Sequence, residues 1–201
     1  MTLTVPFVEG TFYHVYNRGN NKENIFKEAG NYNYFLSLWK KHIEPVAETY
    51  CYVLLSNHFH ALIRIRENLS LTSKANDVSR MPTAEQAFAN LFNAYAKAYN
   101  KANNRTGKLF EERFRKKPVL DSGYLMQIVY YIHQNPQNHG IIPDFRLYSH
   151  SSYKGIVSNK PTLLERETIL RWFDGRENFL NYHKEKHLYL KELAKFLKEE
   201  N

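Results

Sequence analysis

A stretch of mostly apolar residues, Tyr52-Val53-Leu54-Leu55-Ser56-Asn57-His58-Phe59-His60-Ala61-Leu62-Ile63-Arg64-Ile65, constrains this chain more than any other segment. Rich in aromatic and β-branched residues and broken only at Ser56-Asn57, it reads as two strands, 48–55 and 58–66, joined in a tight hairpin. Successive strand side chains alternate faces. Phe59, Ala61, Ile63 and Ile65 therefore form a core face, and His58, His60, Leu62, Arg64 and Arg66 share the other. The two imidazoles lie about 7 Å apart at Cα by the strand rise, close enough to share one metal ion. Two histidines on one strand face can also be plain buried or surface residues, so the pair needs partners from elsewhere.

The rest of the chain supplies a context. Thr11 to Tyr16 reads as a strand ended by Asn17-Arg18-Gly19-Asn20-Asn21, and Phe35, Leu38, Trp39 and His42 repeat at helical spacing over 28–44. Residues 67–81 are polar, lack periodicity and read as a loop. Thr83 is positioned to cap a helix, with Gln86 three residues on, continued by Phe88, Leu91, Phe92, Tyr95 and Tyr99. A strand is expected over 110–120. A helix capped by Asp121 or Ser122 follows, running to Asn135, where Pro136 disfavours the α conformation of the residue before it. This order predicts an α+β sandwich: a ferredoxin-like or RRM-like antiparallel sheet with helices on one face. Residues 1–140 form the main domain, and 141–201 add a C-terminal extension of a loop and two helices, about 162–182 and 184–199.

Charge narrows the partner. The chain carries a net charge of +8, and its 15 Tyr, 13 Phe and 2 Trp make it unusually aromatic. Between Lys97 and Lys117 stand eight positives against Glu111 and Glu112, a net of +6, interleaved with Tyr95, Tyr99, Phe110 and Phe114. Unbalanced positives among aromatic rings suit a nucleic acid better than a merely solvated face. Residues 160–201 hold nine positives and eight negatives and read as a solvated surface. A single cysteine, Cys51, excludes an internal disulfide. No apolar run reaches membrane-spanning length and Met1 to Pro6 does not resemble a signal peptide, so a cytoplasmic, nucleoid-associated protein without membrane contact is expected.

On the helix 123–135, Leu125, Ile128, Val129 and Ile132 make the buried stripe. Tyr131 and Asn135, four residues apart, flank that stripe, with Gln127 nearby. Tyr130 lies almost opposite it and is expected to face solvent. Periodicity alone favours Tyr131 over Tyr130 as a functional tyrosine, although most tyrosines on such a border only pack.

His58-Phe59-His60 after a hydrophobic strand resembles the His-hydrophobic-His motif of single-tyrosine HUH nucleases. Tyr131-Ile132-His133-Gln134-Asn135-Pro136 resembles the tyrosine helix of the REP-associated tyrosine transposases, relatives of the small transposases of single-strand insertion sequences. His14-Val15-Tyr16-Asn17-Arg18-Gly19-Asn20, Phe26, Gly107-Lys108-Leu109-Phe110, Arg113-Phe114 and Ser151-Ser152-Tyr153 match in collinear order, so the likeness spans about residues 10–155. The segment after Pro136 departs, with Gln137-Asn138-His139 where the family has Val-Arg-Ala.

This resemblance implies Tyr131 as nucleophile and His58, His60 and Asn135 as ligands of a divalent metal, Mg²⁺ or Mn²⁺. It implies cleavage and transfer of single-stranded DNA through a 5′-phosphotyrosine intermediate at hairpin-forming, REP-like repeats, by a monomer or a homodimer. Arg113, Arg115, Lys116 and Lys117 are candidates for backbone contact, with Arg18 and Lys22 secondary. Two other readings keep the same residues: a non-catalytic single-stranded nucleic-acid-binding module descended from a transposase, and a metal-dependent hydrolase that uses water. The latter would want more carboxylates than Glu67 near the histidines.

Overall fold

The computed structural model describes residues 6–67, 82–111 and 114–185. Four strands form one antiparallel sheet: β1 (Phe12–Arg18), β2 (Ala47–Leu55), β3 (His58–Ile65) and β4 (Arg115–Val119), in the spatial order β2-β3-β1-β4. Helix α1 (Ala29–His42) joins β1 to β2, and α2 (Ala84–Ala102) lies between β3 and β4. Each of these connections passes over an intervening strand, giving the split βαβ units of a ferredoxin-like sheet. The α+β reading therefore holds, and Ser56-Asn57 is the hairpin turn between β2 and β3.

The sheet is covered on both faces rather than one. On the first face, Tyr13, Val15, Phe59, Ala61, Ile63 and Ile65 pack with Phe35, Leu38 and Trp39 of α1 and Phe88, Leu91 and Tyr95 of α2. On the second, Cys51, Val53, Leu55 and Leu62 pack with Leu125, Ile128, Val129 and Ile132 of a third helix, α3 (Leu125–Asn138). Phe145, Tyr153, Ile156, Ile169 and Phe179 join this second cluster. They come from the segment holding α4 (Tyr153–Val157), α5 (Arg166–Trp172) and α6 (Arg176–Lys184). Sequence periodicity identifies which face of a helix is apolar but not which side of the sheet receives it, and both sheet faces here are apolar enough to take one.

The buried stripes account for the elements. Thr83 caps α2 through its hydroxyl, which accepts a hydrogen bond from the Gln86 amide. Asp121 caps the short 3-10 turn Ser122–Tyr124 that leads into α3. Helix α3 does not stop at Asn135 but runs through Pro136 to Asn138. The His139 amide bonds the Asn135 carbonyl and the Ile141 amide bonds the Pro136 carbonyl, so the turn beyond the proline is still closed. The expected strand over 110–120 is confined to Arg115–Val119, with Phe110 making only an isolated bridge to Gly19. The loop expected over 67–81 lies outside the described residues beyond Glu67, as does nearly all of the helix expected over 184–199. In place of one helix over 162–182 there are α5 and α6, parted at Gly175, whose φ of 107° a side-chain-bearing residue rarely adopts.

The outer edge of β2 is not open. The Leu54 amide donates to the His150 carbonyl, the Ser152 amide to the Tyr52 carbonyl, and the Glu165 amide to the Thr49 carbonyl. Two short stretches, 150–152 and 164–165, thus bond that edge on either side of α4.

Candidate active site

Strand register assembles the site. Antiparallel pairing sets Tyr16 opposite His60 and Arg18 opposite His58, while on the other side of β1 Tyr16 faces Arg115 and His14 faces Lys117. His14, Tyr16, Arg18, His58, His60, Arg115 and Lys117 therefore share the sheet face that α3 covers. A cleft on this face is lined by Tyr16, Asn17, Arg18, His58, His60, Glu111 and Arg115.

The Asn17-Arg18-Gly19 turn closes one end. The Gly19 amide donates to the Asn57 carbonyl, and the Asn57 side-chain amide donates to the Lys22 carbonyl, so the β1 turn and the β2–β3 hairpin brace each other. A Cβ on Gly19 would stand 2.0 Å from the Glu23 carbonyl oxygen, which explains the glycine by space alone.

Both histidines of the motif are buried, His58 at 8% and His60 at 6% exposure. His58 Nδ1 lies 2.6 Å from Asn57 Oδ1. An amide oxygen only accepts, so His58 carries its proton on Nδ1 and its lone pair on Nε2. His60 Nδ1 lies 3.0 Å from His14 Nε2. Burial, with the nearby His139 and Arg18, pushes the His58 pKa down to about 3. Burial and the neighbouring His14, His58, His139 and Arg18 hold His60 well below the usual range as well. Both imidazoles are neutral at physiological pH, the form in which histidine binds metal.

Helix α3 brings the remaining groups over this face. The Tyr131 ring stands edge-on to His14 at 6.0 Å and to His60 at 5.9 Å between centroids. One turn further on is Asn135, 1% exposed, whose Nδ2 donates to the Tyr131 carbonyl at 2.9 Å. That leaves the amide oxygen as its acceptor. One turn further again is His139, its ring 4.9 Å from that of His58. Tyr131, Asn135 and His139 are one row on the helix, with contacts to the histidine pair at both ends.

Tyr130 does not face solvent. It is 3% exposed and packs edge-on against Phe145 and Tyr182, with His183 at 5.5 Å. The C-terminal helices cover the side of α3 that periodicity assigns to water. Tyr131, half-buried, is the tyrosine whose ring meets the histidines.

The basic run 97–117 is not one surface. Arg115 and Lys117 lie on the site's face, but alternation sends Lys116 to the other. There the Lys116 ammonium sits 3.0 Å from Glu85 and 3.6 Å from the centre of the Phe7 ring. Arg105 is held by Glu23 and by the Asn100 side chain and Lys108 carbonyl, bracing its loop. Arg18 stands beside His58 with its Nε 3.9 Å from Glu111, and Lys22 is exposed next to the hairpin turn. Arg113 lies outside the described residues.

Two residues near the pair escape the sequence reading. His14 is signalled by alternation, two positions before Tyr16 and four before Arg18. His139 is hidden by the expectation that Pro136 ends the helix. Among the described residues no three His, Cys, Asp or Glu side chains stand where they could hold a metal ion together. A third donor would have to be of another type, and the row on α3 that holds Tyr131 offers two amides, Asn135 and, one turn before the tyrosine, Gln127, whose buried Oε1 has no hydrogen-bond partner among the described residues.

The sequence matches no protein-family description and no curated protein. Among solved structures, the chain is similar to a REP-associated tyrosine transposase bound to a REP hairpin, at 14% identity and a TM-score of 0.56, covering 80% of this chain and 89% of that one. It also aligns with a bacterial tRNA(His) guanylyltransferase (Thg1)-like protein in complex with GTP, at 8% identity, a TM-score of 0.44, and 68% and 67% coverage. This chain has the fold of a REP-associated tyrosine transposase.

Proposed function

We propose that this protein is a metal-dependent endonuclease and strand transferase of the single-tyrosine HUH type, acting on single-stranded DNA that carries hairpin-forming, REP-like repeats. The observation that carries the reading is the convergence of Tyr131, from α3, on the buried and neutral His60 of β3. Likeness of fold to a transposase solved with a REP hairpin supports the choice of substrate.

In the reaction the Tyr131 phenolic oxygen attacks the phosphorus of the scissile phosphodiester. The P–O3′ bond breaks as the Tyr–O–P bond forms; the phenol proton passes to solvent, and the departing 3′ oxygen gains a proton. The 5′ phosphate stays on Tyr131, and attack by another 3′-OH reverses the step and joins strands without an outside energy source. A divalent ion, Mg²⁺ or Mn²⁺, held by His58, His60 and the Asn135 amide oxygen would neutralise phosphate charge and orient the scissile group. Arg18 and Arg115 line the cleft and Lys117 shares its sheet face, which supports assigning them, with the exposed Lys22, to contact with flanking phosphates.

The test is incubation with labelled hairpin-bearing single-stranded DNA and Mn²⁺, read on a denaturing gel. A covalent protein–DNA adduct that is lost in Tyr131→Phe and kept in Tyr130→Phe is expected. An adduct persisting in Tyr131→Phe refutes the assignment, cleavage without adduct points to a water-using hydrolase, and binding without cleavage points to a non-catalytic module.

A further inference from the structure

We propose that His14 is a positioning residue for this site, coupling the histidine ligand His60 to the nucleophile Tyr131. The inference rests on the metal-dependent reading above. His14 is fully buried in the middle of β1. Its ring stacks on His60 at 5.1 Å and 18° and on Tyr16 at 5.1 Å and 29°, and its Nε2 is 3.0 Å from His60 Nδ1. The Tyr131 ring meets the same imidazole edge-on at 6.0 Å. One side chain thus touches the ligand and the nucleophile.

The hydrogen bond does more than fill space. Between two neutral imidazoles one nitrogen donates and the other accepts. For His60 to present a lone pair from Nε2 toward the cleft, its proton must reside on Nδ1, and His14 Nε2 is the acceptor placed to hold it there. His58 receives the same service from Asn57 Oδ1. Each ligand of the pair therefore has a dedicated partner on its Nδ1, one from the hairpin turn and one from the neighbouring strand. Partners of this kind fix the tautomer and ring direction of metal-binding histidines, and their loss typically weakens metal binding 10- to 100-fold. The edge-to-face contact adds a second task, because removing the His14 ring also removes a ring against which Tyr131 rests.

Three measurements on the full chain test this. Long-range ¹H–¹⁵N spectra of the metal-free wild type should show His60 protonated on Nδ1; protonation on Nε2 overturns the proposal without any variant. Calorimetric titration with MnCl₂ should give a Kd about 10- to 100-fold weaker in His14→Phe, which keeps a ring but no acceptor. His14→Gln, which retains an accepting oxygen, should recover most of that loss. At Mn²⁺ saturating for each variant, adduct formation by His14→Gln should still be slower than by the wild type, because the ring that Tyr131 meets edge-on is gone. Equal Mn²⁺ affinity in His14→Phe and wild type, with binding abolished in His58→Ala, overturns the role of His14 alone. Absence of Mn²⁺ binding by the wild type overturns both this role and the metal-dependent reading.

Discussion

Substituting His133 by Leu should reveal a directed chain of hydrogen bonds that holds the tyrosine helix. His133 is fully buried two residues after Tyr131 and faces away from the cleft, toward α6. The direction of every bond can be assigned from one end. The Phe179 carbonyl can only accept, so His183 donates from Nδ1 at 2.8 Å. His183 Nε2 then accepts from His133 Nδ1 at 3.0 Å, and His133 Nε2 accepts from the Ser152 hydroxyl at 2.9 Å. The Ser152 oxygen accepts in turn from the Tyr52 amide of β2. Leucine at 133 keeps apolar volume but strands the Ser152 hydroxyl and His183 Nε2, each at a cost of about 1–3 kcal/mol. The expected loss at pH 7.5 is about 2–6 kcal/mol, large against the usual 5–15 kcal/mol of a domain.

The same chain predicts a pH signature. Burial, with His183 beside it, holds the His133 pKa well below the ordinary 6.5. In the window below 6.5 the unfolded chain takes up a proton that the native protein refuses, so stability is present above 6.5 and lost as the pH falls. From pH 7.5 to 5.5 the loss is about 1.4 kcal/mol per such histidine. His58 and His60 add the same slope in both proteins. Urea unfolding with EDTA should therefore show the gap between wild type and His133→Leu narrowing by about 1.4 kcal/mol on going from pH 7.5 to 5.5. A gap below 1 kcal/mol at pH 7.5, or one of unchanged size at pH 5.5, would refute the reasoning.

Two further outcomes follow from the register and the turns. Lys117→Ala should weaken single-stranded DNA binding and reduce the dependence of log K on log salt by about 0.7, whereas Lys116→Ala should leave that slope unchanged and lower thermal stability, since its ammonium contacts Glu85 and Phe7 instead; equal slopes for both variants in fluorescence anisotropy contradict this. Gly19→Ala should destabilise the protein by about 1–3 kcal/mol in denaturant unfolding, because a methyl there meets the Glu23 carbonyl; an unchanged midpoint contradicts the packing argument.

Local patterning reveals much of this fold. Alternation places His58 and His60 on one face, the Ser56-Asn57 break marks the hairpin, and Thr83 announces α2. The failures share one cause. Tyr130 and Pro136 were to be exposed and helix-ending by rules that consider a segment alone, whereas Phe145, Tyr182 and the closing bonds at His139 and Ile141 come from chain further on. The positive run 97–117 misleads similarly: in β4 neighbours part to opposite faces, and only the pairing of β4 with β1 tells Lys117 from Lys116. His14 is legible as a residue on the right face, but its contact with His60 is diagonal across two strands and appears only once the register is known.

The segment along β2 bears on self-association. A sheet can grow by accepting a foreign strand only where backbone donors and acceptors point outward in series. At β2 the stretches 150–152 and 164–165 already take part of that place. At β4 the opposite margin is five residues long, carries Pro118 without an amide hydrogen, and bears Arg115, Lys116 and Lys117, which repel a second copy of themselves. The fold therefore disfavours cross-chain sheet extension at both margins, by backbone pairing at β2 and by length, proline and charge at β4.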